Sequence, residues 1–111
     1  MHIQNPLKTQ THALLLDRAA HLLDHARDPA ALSWAMQNNL SVWLFLKSAA
    51  EQQTLRHGDA ERILELAEYV IATTRDCGRI APHDAQIEAF ITMNRTLART
   101  FVDHTSAHMA L

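Results

Sequence analysis

The sequence predicts an all-α fold, a single four-helix domain packed as a compact bundle. Apolar residues recur at three- and four-residue spacing through four long segments, the pattern of amphipathic helices. Glycine and proline number only 2 and 3, too few for a turn-rich β protein. The turn signals "RDPA", "RHGD" and "RIAPHD" separate the segments and place connections near residues 28, 57 and 80. A chain of 111 residues, 48 % of them apolar, is sized for one hydrophobic core.

The first helix is expected over about 6–27. Asn5 is a suitable N-cap, and Pro6 suits the first helical position, where its missing N–H costs nothing. Leu15, Leu16, Ala19, Leu22, Leu23 and Ala26 give the apolar stripe, and Asp28 before Pro29 closes the segment. Helix two is expected over 29–53, with Leu32, Ala35, Met36, Asn39, Val42, Trp43, Leu46 and Ala50 along one face. Leu40, Leu44 and Phe45 widen that face until most of the circumference is apolar. Such a helix is either central in a bundle or shares a second face with another chain.

Helix three is expected over 59–77, with Asp59 as N-cap and Gly78 as the residue that ends it. Helix four is expected over 83–102, starting at Pro82 or Asp84, with Ile87, Phe90, Ile91, Leu97 and Phe101 in its stripe. Beyond Val102 the periodicity fades, so 103–111 reads as a frayed tail. The expected core is Leu16, Leu23, Met36, Trp43, Leu46, Ile63, Leu66, Val70, Ile87, Phe90, Ile91 and Leu97.

Charge argues against one class of partner. The 10 basic residues are scattered among 12 acidic ones for a net −2, with no basic stripe of the kind a phosphate backbone selects. Nucleic acid is therefore not expected. The single cysteine, Cys77, cannot form an intrachain disulfide. The start, "MHIQNPLKTQTH", has no charged region followed by an apolar one, so no signal peptide is expected, and the longest apolar run is far short of a membrane span. The expectation is a cytoplasmic protein away from membranes.

Catalytic and metal chemistry find little footing. There is no glycine-rich phosphate loop, HExxH or nucleophile elbow. Cys77 lies at a helix C-terminus, where the dipole disfavours a thiolate. His21/His25 and His104/His108 have i, i+4 spacing, but two ligands do not close a zinc site. No cofactor, no metal and no enzymatic activity are expected.

Two polar residues stand out. Asn39 and Asn94 each occupy an apolar stripe, one on helix two and one on helix four. A buried amide is costly unless its hydrogen bonds are met. Either the two bond to each other or to an open carbonyl, fixing register, or they face a groove that a partner fills. Arg95 is turned about 100° from Asn94, off the stripe, where it can reach an acidic group or a partner. Trp43 belongs to the stripe, and Trp34 lies off it. The candidate partner-contacting residues are Arg95, Trp34, Trp43, Leu40 and Phe45.

These same residues carry a resemblance. "FITMNRTLA" supplies Phe90, Ile91, Met93, Asn94, Arg95 and Leu97. "NLSVW" supplies Asn39, Val42 and Trp43, and "LAEYV" supplies Leu66, Ala67, Tyr69 and Val70. In this order they resemble the helices of the FlaF family of flagellar biosynthesis regulators from α-proteobacteria, with "NPLKTQTHALLLDRAAHLL" matching its first helix more loosely. Leu40 stands where the family has Arg, Tyr69 where it has Trp, Ala98 where it has Met, and Thr100 where it has Gly. The resemblance implies a non-enzymatic protein supporting flagellin production and filament assembly. It implies a functional link to FlbT, a repressor of flagellin translation, and flagellin itself as a partner bound in chaperone fashion. Two alternatives stay open: a post-transcriptional regulator contacting flagellin mRNA, and a structural module forming homo-oligomers through helix two.

Overall fold

Four helices follow one another in a computed structural model that describes the backbone of residues 6–52, 57–77 and 82–109 and the side chains of 10–52, 59–76 and 82–103. They are α1 (Pro6–His25), α2 (Pro29–Glu51), α3 (His57–Cys77) and α4 (Asp84–Met109), with no strand among the described residues. Asn5 and Gly78, the side chain of Cys77 and those of His104 and His108 lie outside the described residues.

Local chemistry explains the boundaries. Asp28 precedes a proline and takes an extended backbone, φ −139° and ψ 164°, which ends one helix and begins the next. Its carboxylate then accepts the Ala31 N–H at 2.8 Å, capping α2 with Pro29 at the helix start. At the start of α4 the Gln86 side chain reaches back to accept the His83 N–H at 2.9 Å, the glutamine half of a capping box. Asp59, expected as a cap, instead lies inside the first turn of α3, where its charge still suits the helix dipole. A second correction concerns the tail. α4 runs on to Met109 rather than fading after Val102, because backbone hydrogen bonding can continue where apolar periodicity has lapsed.

α1 packs most extensively on α4 and α2 on α3, with α1 and α2 joining the two pairs. α1 and α4 run antiparallel: His12 meets Phe101 near one end of the contact, and Asp24 meets Arg95 further along. The result is elongated, 46 × 24 × 18 Å, the long axis matching a 26-residue α4 of about 39 Å. Trp43, Phe90 and Phe101 are the largest wholly buried apolar side chains. Burying each phenylalanine is worth about 1.5–3 kcal/mol.

Most of the expected core is buried, with two exceptions: Leu66 and Ile87 are only partly covered. Leu66 lines an open groove between α3 and α4, and Ile87 lies in the first turn of α4, at an end of the bundle. Small buried residues outside the expected stripes include Ala13, Ala20, Ala49, Thr74 and Ala98, and one larger residue joins them. His12 packs its ring at 5.6 Å from both Phe45 and Phe101, bridging α1 to α2 and α4.

Candidate functional site

The two stripe asparagines meet at the centre of the bundle. Asn94 Nδ2 donates to Asn39 Oδ1 at 2.7 Å, and Trp43 Nε1 donates to Asn94 Oδ1 at 2.9 Å. All three residues are fully buried. The direction of this relay is forced. An indole N–H can only donate, so Asn94 must turn its oxygen to Trp43 and its nitrogen to Asn39. Asn39 must therefore offer its oxygen, and its own Nδ2 is left buried without a hydrogen-bond partner among the described residues. The relay ties α2 to α4, helices that lie in different pairs. Its amides serve architecture and do not face a groove.

This placement corrects the assignment of Trp43 as a partner-contacting residue. Its ring is wholly enclosed and its one polar atom is used internally. Arg95 is turned away from the core, as the helix period requires, and is half-exposed. It reaches Asp24 of α1 at 3.1 Å. An exposed pair of this kind contributes about 0–1 kcal/mol and leaves the guanidinium accessible.

The remaining candidates lie on α2. Trp34 is 55 % exposed, Phe45 50 % and Leu44 46 %, and Leu40 is half-buried. Trp34 and Phe45 are eleven positions apart, within about 20° of each other around the helix and about 16 Å apart along it. From Pro29 to Leu46 the helix carries no charged residue. Lys47 breaks the run, but it reaches Glu68 of α3 at 3.1 Å. The solvent-facing side of α2 is therefore aromatic, aliphatic and uncharged polar, with Gln37, Asn38, Ser41 and Ser48 between the large side chains.

The groove between α3 and α4 was not legible in the sequence. It has a volume of about 220 Å³ and is lined by Arg62, Leu66, Thr92, Met93, Thr96, Leu97 and Thr100. Small-molecule sites generally exceed about 300 Å³, so this space suits one or two side chains better than a cofactor. His21 and His25 stack with ring centroids 4.0 Å apart, and His25 Nδ1 donates to the His21 carbonyl at 2.9 Å. That bond occupies one ring nitrogen of the pair. No group of three or more metal-ligating side chains exists among the described residues.

These features define an all-α, four-helix bundle with a closed polar centre and an exposed, uncharged helix face. No family model, curated protein or solved structure matches the chain. Among the described residues no helix is long and apolar enough to cross a membrane.

Proposed function

We propose that this chain is a non-enzymatic flagellar biosynthesis protein of the FlaF type, supporting flagellin production and filament assembly by binding flagellin as a chaperone. The observation that carries the reading is the outer face of α2, where Trp34, Leu44 and Phe45 stand in solvent without a charge between them. Unassembled flagellin must keep amphipathic terminal helices from aggregating, and an uncharged apolar helix face can cover such a helix. The resemblance supports the reading from another side. Asn39, Trp43 and Asn94, which carry it, are the members of the buried relay that sets how α2 and α4 meet. Arg95, accessible on α4 beside Asp24 of α1, and half-buried Leu40 are further candidate contacts, set apart from that face. A functional link to a FlbT-like regulator follows from the same reading.

Mixing purified chain with purified flagellin and measuring mass by light scattering tests this directly. A complex of defined stoichiometry is expected. Absence of a complex at micromolar concentrations, together with a shift of flagellin leader RNA in a gel at defined salt, would replace the chaperone reading by the RNA-contacting one.

A further inference from the structure

The uncharged run on α2 has a second property. Any face that pairs with itself about a two-fold axis must be self-complementary, because residue i meets j and j meets i. A charged face satisfies this only where opposite charges fall at matched positions, whereas an uncharged face needs no such match. The outer face of α2 carries no charge from Pro29 to Leu46.

The positions also match. If two copies of α2 lie antiparallel with the axis midway between Asn38 and Ser41, each Trp34 falls opposite Phe45 of the second copy. The same axis sets each Asn38 opposite Ser41 of the second copy. All four residues share one side of the helix within about 60° of arc, and Trp34, Ser41 and Phe45 are exposed while Asn38 is half-exposed. The arrangement gives two aromatic pairs flanking two pairs of small polar groups able to hydrogen-bond. Aromatic anchors with few charges at the centre are the composition of protein interfaces.

We infer that, in the absence of another partner, the chain forms an antiparallel homodimer through the outer face of α2, Trp34 of each copy packing on Phe45 of the other. One helix face, about 34 Å long over its 23 residues, is a small contact area. It lies at the low end of specific interfaces, the range of weak and transient contacts. The inference does not depend on flagellin as the partner. If flagellin uses this face, the second copy competes with it, and the dimer is the unloaded form.

Sedimentation velocity of the purified chain over a wide concentration series tests the inference. A reversible monomer–dimer equilibrium is expected, with emission from the exposed Trp34 shifting to shorter wavelength as dimer forms. Trp34→Lys and Phe45→Glu should each weaken association at least tenfold while retaining the helical circular dichroism of the parent. An equimolar mixture of the two variants should recover association, because one Lys–Glu pair and one intact Trp–Phe pair then face each other. A parent chain that stays monomeric throughout, a dimer indifferent to both substitutions, or a mixture that fails to recombine would each overturn the inference.

Discussion

The two sides of α2 contrast. Its inner side places Asn39 and Trp43 against Asn94, with every side chain enclosed and nearly every polar atom assigned a partner. Its outer side places Trp34 in water and leaves Phe45 half-exposed, one part of its ring against His12 of α1, with no charged residue between them on the helix. Both sides are rich in large apolar groups, so hydrophobicity alone does not separate them. What separates them is where the polar groups sit: Asn39 and Asn94 are enclosed and joined to each other and to Trp43, while Gln37, Asn38 and Ser41 lie toward solvent. The inner side accounts for the fold, and on the proposed reading the outer side accounts for recognition.

Substitutions on the inner side should have the largest effects. Trp43→Ala should lower stability by about 3–5 kcal/mol in urea denaturation, since it empties the largest core site and strands Asn94 Oδ1. Asn94→Ala comes next, at about 1–3 kcal/mol, because it leaves both Trp43 Nε1 and Asn39 Oδ1 unmatched. Asn39→Ala should cost less than Asn94→Ala in the same measurement. It strands only Asn94 Nδ2, and it removes an Nδ2 that already lacks a partner. An Asn39→Ala loss equal to or greater than that of Asn94→Ala would show that the relay is not ordered in this way.

Smaller effects should mark the partly covered and exposed positions. Leu66→Ala should fall below the roughly 2–5 kcal/mol of a fully buried leucine, because one side of Leu66 already faces the α3–α4 groove. Arg95→Ala should change stability by about 0–1 kcal/mol, the range of an exposed ion pair, and the change should shrink in high salt. Trp34→Ala should alter the unfolding free energy by no more than about 0.5 kcal/mol. A large loss there would place Trp34 with the inner side and dissolve the contrast.

Much of the inner side was legible in the sequence, for a physical reason. A helix period of 3.6 residues makes an amide inside an apolar stripe conspicuous, and one such amide on each of two helices suggests mutual satisfaction. The same arithmetic placed Arg95 off the stripe. It could not foresee the third member, Trp43, since an indole N–H gives no periodic signal of where it points. It missed His12 because a histidine at the margin of a stripe of leucines and alanines reads as solvated. Only the tertiary meeting of α1, α2 and α4 encloses it between two phenylalanines. The groove depends on how far apart α3 and α4 settle, a distance that no local pattern encodes.

The central claim is that recognition and folding occupy opposite sides of α2. It is tested most directly by titrating flagellin calorimetrically into the parent chain and into Trp34→Glu, at a dilution where neither self-associates, with a thermal melt of each. The account predicts nearly unchanged melting points and at least a tenfold loss of flagellin affinity in the variant. Undiminished affinity in a normally folded Trp34→Glu would contradict it.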